Sequence, residues 1–85
     1  MEIEYSSHFK RAYQKLDIAI QKKAKRKVTS FRKDPFGAAL ETHKLHGKLK
    51  EFYSFSIDGK FRVVFKFITG KKVIFLDVGD HDVYR

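Results

Sequence analysis

Residues 52–85 read FYSFSIDGKFRVVFKFITGKKVIFLDVGDHDVYR. Three strand-like runs, parted by Asp58-Gly59 and Gly70-Lys71, lead into a polar tail that carries His81 and Tyr84. Strand side chains alternate between faces, so the odd positions place Tyr53, Phe55, Ile57, Phe61, Val63, Phe65 and Phe67 on one side, a wall that must be buried. The even side carries Ser54, Ser56, Arg62, Val64 and Lys66, which predicts an open face rich in hydroxyls and positive charge. Keeping the wall in one piece constrains the first hairpin. A two-residue Asp58-Gly59 loop would put Arg62 beside Phe55, whereas a three-residue Ile57-Asp58-Gly59 loop with a left-handed Gly59 pairs Ser54 with Arg62. The longer loop is therefore expected. Val73 to Val78 is apolar on both sides, which suits an interior strand.

Upstream, Met1 to Tyr5 alternates apolar and acidic residues and reads as a short edge strand with Ile3 and Tyr5 inward. Ser6 and Ser7 are good N-caps for a helix whose stripe is Phe9, Ala12, Tyr13 and Leu16. Asp17 is placed to cap a second helix with the stripe Ile20, Ala24, Val28 and Phe31, ended by Pro35 and Gly37. The basic run at 22–27 faces outward; it reads first as a solvated surface, with Lys22, Lys23 and Arg26 as its candidates for contact with RNA. Residues 37–51 are irregular, with a helical turn expected around Ala38 to Glu41. They gather His43, Lys44, His46, Lys48 and Lys50, and an early start to the next strand would bring Lys48 and Lys50 onto the even face beside Arg62. The expected fold is α+β: one domain over residues 1–85, with an N-terminal strand and a two-helix hairpin packed on a mostly antiparallel four-stranded sheet.

At 85 residues the chain has room for one core, and 42% hydrophobic residues with nine Phe make that core feasible. Cysteine is absent, which excludes disulfides and thiolate metal sites and suits a reducing cytoplasm. No apolar run approaches the roughly 18 residues that cross a membrane, and no signal peptide is read at the N-terminus. Nineteen Lys and Arg against ten Asp and Glu give a net charge of +9, which calls for an anionic partner, either a phosphate backbone or an acidic protein. Phosphate loops, nucleophile elbows and paired metal ligands are missing. His43 and His46 lie in a basic context without carboxylate or thiolate ligands close by, so neither a metal nor a cofactor is expected.

A metal-free set of Lys, Arg, His and Tyr suits the cleavage of RNA by its own 2′-OH. That reaction needs a base for the hydroxyl, positive charge for the pentacoordinate phosphorus and a proton for the departing 5′-oxygen. Histidine serves either proton role near neutral pH, Arg62 and the lysines hold the phosphate, with Lys44, Lys48 and Lys66 as candidates for RNA binding, and Tyr84 stacks on or orients a splayed base. The same basic sheet also suits nucleic-acid binding without cutting.

The order of strand, helical pair and three-strand meander, with LHGKLKEFYSFSI, FRVVFKF and VIFLDVGDHDVYR, resembles the RelE/ParE superfamily of toxins from type II toxin–antitoxin modules. The resemblance spans nearly the whole chain, and the Gly79-Asp80-His81 ending is similar to the YafQ and YoeB branches. It implies ribosome-dependent cleavage of mRNA in the A site, leaving a 2′,3′-cyclic phosphate and a 5′-hydroxyl, and an acidic antitoxin as partner. On this resemblance Arg62 contacts the scissile phosphate and His81 is the C-terminal catalytic histidine. His43 is the loop histidine of acid–base work, Lys48 and Lys50 supply charge, and Tyr84 orients the substrate. A second-strand histidine of the YafQ branch is replaced here by Ser56, so the resemblance does not divide base from acid. The ParE branch, which inhibits DNA gyrase by protein binding and cuts nothing, is the alternative reading; it lacks the histidine and basic set.

Overall fold

In a computed structural model, which describes residues 1–47, 51–80 and 83, the chain forms two helices on a five-stranded sheet of order β1-β5-β4-β3-β2. β1 (Glu2–Tyr5) is an edge strand parallel to β5 (Lys72–Gly79), with Ile3 beside Val73 and Tyr5 beside Phe75. β5 then runs antiparallel to β4 (Arg62–Thr69), β4 to β3 (Tyr53–Ser56), and β3 to β2 (His43–Lys44). The class is the α+β one predicted, and Val73 to Val78 lies in an interior strand as expected. The strand count is corrected from four to five. The extra strand is only two residues long and wholly polar, so it has neither the length nor the alternation by which a strand is read. Among the described residues no helix is long and apolar enough to cross a membrane.

α1 (Ser7–Gln14) starts where Ser6 leaves β1: the Ser6 hydroxyl accepts from the Phe9 N–H at 3.0 Å and donates to the Leu76 carbonyl at 3.2 Å. One side chain thus caps the helix and ties it to β5. α2 (Ile18–Lys33) follows Asp17, whose carboxylate, against expectation, makes no capping hydrogen bond. The two helices are stapled instead by Tyr13 and Gln21, each side chain donating to the other's carbonyl at 3.2 and 2.9 Å. Phe31, in the apolar stripe of α2, is completely buried, with ring centroids 5.0 Å from Phe55, 5.0 Å from Phe65 and 5.4 Å from Phe75. The odd-numbered wall is therefore the floor of the core and α2 its cover. β5 keeps its part of that floor through an irregularity: the partners of Val64 and Phe65 jump from Asp77 to Phe75, skipping Leu76. A one-residue insertion reverses the alternation, which is how Val73, Phe75 and Val78 all reach the core.

The β3–β4 turn differs from the expected bulged hairpin. Ser54 pairs with Val64 and Ser56 with Arg62, a register shifted by two residues, and Ile57 N–H reaches the Phe61 carbonyl at 2.8 Å. Gly59 is not in the left-handed region; among the described residues only Glu41 and Gly47 have positive φ. The cause is Asp58, whose Oδ1 accepts from the backbone N–H of Lys60 at 2.9 Å and of Phe61 at 2.8 Å, so a side chain builds the turn that a left-handed glycine would have made. A two-residue shift leaves every side chain on its original face, so the wall stays whole.

Those N–H bonds from Phe61 and Lys60, with Lys23 Nζ at 3.7 Å adding a smaller electrostatic pull, hold the Asp58 carboxyl below its ordinary pKa. A depressed folded-state pKa means that this contribution to stability is present above the unfolded value near ~3.9 and is lost as pH falls through the folded value. Asp58→Ala is expected to cost about 1 kcal/mol at neutral pH, as for other side-chain caps of backbone N–H groups. Denaturant titrations of both proteins should converge as pH drops below about 4. Equal stability at pH 7 would show that the carboxylate does not hold the turn.

Candidate active site

The even face is not the open surface expected. Ser54 and Val64 are buried at 1% and 4% exposure, Ser56 and Arg62 are half-buried, and of the five residues only Lys66 is exposed. Leu45, 8% exposed, is buried outside the main core cluster. What remains accessible is a polar cleft of about 380 Å³ lined by Glu41, His43, Ser54, Ser56, Gly59 and Arg62.

Two cross-strand rows place its strand residues. Ser56, Arg62 and Gly79 form one, and His43, Ser54, Val64 and Asp77 the next. The segment that brings His43 here is held at both ends and in the middle. Leu40, at the end of a 3₁₀ turn (Ala38–Leu40), is buried, and the Thr42 hydroxyl donates to the Pro35 carbonyl at 2.6 Å. Leu45 N–H then donates to the Phe52 carbonyl at 2.9 Å. Between these anchors Glu41 takes a left-handed conformation, and His43 Nδ1 lies 3.1 Å from its carbonyl oxygen. The Ser56 hydroxyl donates to the Asp58 carbonyl, tying the cleft to the β3–β4 turn, and Arg62 Nε is buried. A half-buried guanidinium, an imidazole and two hydroxyls in one recess can bind a phosphodiester and move a proton next to it.

Of the residues singled out from the sequence, the structure brings His43 and Arg62 together. Lys44 is exposed on the edge strand β2, and Lys66 is exposed four residues along β4 from Arg62. Lys22, Lys23 and Arg26 are exposed on α2, which covers the opposite face of the sheet, and Lys23 pairs with Asp58. His81, Lys48, Lys50 and Tyr84 lie outside the described residues; Gly79, two residues before His81, is the register partner of Arg62. Among the described residues no group of three His, Cys, Asp or Glu could hold a metal ion. Glu41 was missed as a lining residue, because its backbone conformation and a register set by a two-residue strand leave no pattern in the sequence. A larger hollow of about 650 Å³ lies between the helices over Phe9, Ala24 and Val28, and neither His43 nor Arg62 lines it. The smaller cleft is the chemical candidate because its polar groups converge.

Compared with solved structures, the chain is similar to a YoeB/ParE toxin from Agrobacterium tumefaciens, with a TM-score of 0.78 at 18% identity over 95% of this chain and 99% of that one. The likeness to YafQ from E. coli strain BL21(DE3) has a TM-score of 0.75 at 22% identity, covering 98% and 96% of the two chains. The fold is that of the RelE/ParE toxins. A chain of the RelB–RelE antitoxin–toxin complex from Methanococcus jannaschii matches with a TM-score of 0.74 at 16% identity over 95% of this chain and 93% of that one. No family model and no curated sequence matches the chain. With this RelE/ParE fold established, the two helices and the sheet are accounted for end to end, and the cleft on the face away from the helices carries the question of activity.

Proposed function

We propose that the protein is the toxin of a type II toxin–antitoxin module, acting in the cytoplasm as a metal-independent endoribonuclease that cuts ribosome-bound mRNA in the A site. The observation that carries this reading is the meeting of His43 and Arg62, with Ser54 and Ser56, in one polar recess. The Arg62 guanidinium, always charged, holds the scissile phosphate and gains interaction energy as its oxygens take on negative charge in the transition state. The 2′-oxygen loses its proton to a base and attacks phosphorus, and the 5′-oxygen leaves with a proton from an acid; His43 and His81 share these two transfers. Lys48 and Lys50 add positive charge, and Tyr84 orients a base. The net charge of +9 suits both ribosomal RNA and an acidic antitoxin, and the similar structures include chains of the DinJ–YafQ and RelB–RelE toxin–antitoxin complexes.

Purified protein added to ribosomes programmed with a defined mRNA should generate new ends at the A-site codon without added metal beyond that of the ribosome buffer. Intact mRNA together with inhibited DNA gyrase would replace this reading with the ParE-like one, and ribosome binding without cleavage would reduce the protein to a nucleic-acid-binding domain.

Binding and chemistry should separate by face. Neutralising Lys22 and Arg26, exposed on the far side of the sheet from the cleft, should weaken ribosome association and lower the salt slope by about 0.7–0.9 per lost phosphate contact. The single-turnover rate at saturation should be unchanged. Lys23 is left out of this pair because it also supports Asp58. Normal affinity with lost chemistry would mean that the active face has been misassigned.

A further inference from the structure

Glu41 has φ 50° and ψ 37°, a conformation that glycine adopts freely and other L-residues only under strain, and it follows the 3₁₀ turn at the position where a glycine cap is usual. The surroundings hold it there. Leu40 is buried on one side, the Thr42 hydroxyl is fixed to Pro35 on the other, and Glu41 N–H donates to the Ala38 carbonyl at 3.3 Å. The result of this turn is local: the Glu41 carbonyl oxygen comes 3.1 Å from His43 Nδ1. A carbonyl can only accept, so this contact is a hydrogen bond only when Nδ1 carries the hydrogen, which leaves the lone pair of the neutral imidazole on Nε2.

We propose that Glu41 is a positioning residue that works through its main chain: the strained turn fixes His43 as the Nδ1–H tautomer and makes Nε2 the base for the 2′-OH. In that step the 2′-O–H bond breaks with its proton going to Nε2, the 2′-oxygen bonds to phosphorus, and the P–O5′ bond breaks with a proton delivered to the 5′-oxygen by a general acid. The positioning role of Glu41 rests on the nuclease reading for its kinetics but not for its tautomer. Although Glu41 also lines the cleft, the proposal gives its carboxylate no part in the step.

The test is a series at position 41 in the full chain. Glu41→Gly and Glu41→Gln remove the carboxylate, and glycine relieves the strain as well; Glu41→Val brings a β-branched side chain that the left-handed region excludes. Long-range nitrogen–proton NMR, with His43→Gln to assign the signals, reports which ring nitrogen is protonated. Single-turnover cleavage at saturating ribosomes reports the rate. Wild type, Gly and Gln should all show the Nδ1–H form, whereas Val should lose that tautomer and cleave at least about tenfold more slowly than Gln with ribosome affinity retained, as expected when a catalytic group is displaced. An Nε2–H tautomer in the wild type, or a loss in Gly and Gln as large as in Val, would overturn the proposal; the latter would make the carboxylate the working group. Should Val fail to fold, wild type, Gly and Gln still decide. If wild type does not cleave, the nuclease reading fails, and the tautomers across the series still test what the turn does to His43.

Discussion

Arg62→Ala is expected to slow cleavage of ribosome-bound mRNA by about 10²- to 10⁴-fold at saturating ribosomes, with much less effect on ribosome binding. The guanidinium is half-buried in the recess, with Nε out of reach of solvent and its strand partners Ser56 and Gly79 on either side. In such a site a fixed charge acts on the reacting phosphate with little screening, and the interaction strengthens as negative charge builds during attack. Arg62→Lys should recover little of the rate, since an ammonium is a single compact charge and cannot present the planar fork that matches two phosphate oxygens. Arg62 lies off the aromatic core, so the alanine variant should fold and unfold cooperatively. His81→Ala is expected to show a comparable loss, on the strength of the sequence resemblance. Single-turnover kinetics beside a ribosome pull-down separates the two effects. Cleavage at the wild-type rate by Arg62→Ala would remove this cleft as the site of chemistry.

Phe31→Ala should cost about 3–5 kcal/mol, the usual range for emptying a buried aromatic site. Small domains hold only about 5–15 kcal/mol in total, so the variant should be near its unfolding limit at physiological temperature. The size of the effect comes from position. Phe31 has no exposed surface and touches rings from three strands, Phe55 of β3, Phe65 of β4 and Phe75 of β5. Truncation leaves the centre of the sheet without its cover. Phe31→Leu should recover part of the loss by refilling volume without the ring stacking. Guanidinium unfolding followed by circular dichroism measures both; a loss below about 1 kcal/mol for the alanine variant would mean that α2 is not packed as described.

Much of this fold is written in period-two patterning. Tyr53 to Phe67 alternates so regularly that the buried wall follows from the residues, and the stripes of α1 and α2 supply its cover. The same periodicity cannot distinguish registers two residues apart, because both keep every side chain on its face. Turn chemistry decides between them, and here it depends on one carboxylate, Asp58, bonding two backbone N–H groups. The site was legible in its residue types and less so in its shape. The strand pattern marks Arg62 as a phosphate contact and the family resemblance picks out His43, and both line the cleft. Burial of Ser54 and Val64, which turns a presumed open face into a recess, depends on neighbours distant in sequence. Glu41 entered the cleft through a backbone conformation that no side-chain pattern announces.

This cleft is proposed to make the RNA's own 2′-OH the nucleophile. An mRNA with a single 2′-deoxynucleotide 5′ to the scissile phosphate, loaded in the A site and compared with its all-ribose counterpart, tests that claim most directly. Both messages should load equally on the ribosome, the all-ribose message should be cleaved to a 2′,3′-cyclic phosphate and a 5′-hydroxyl, and no cleavage should occur at the deoxy position. Cleavage of the deoxy message at a comparable rate, or products ending in a 3′-hydroxyl and a 5′-phosphate, would contradict it.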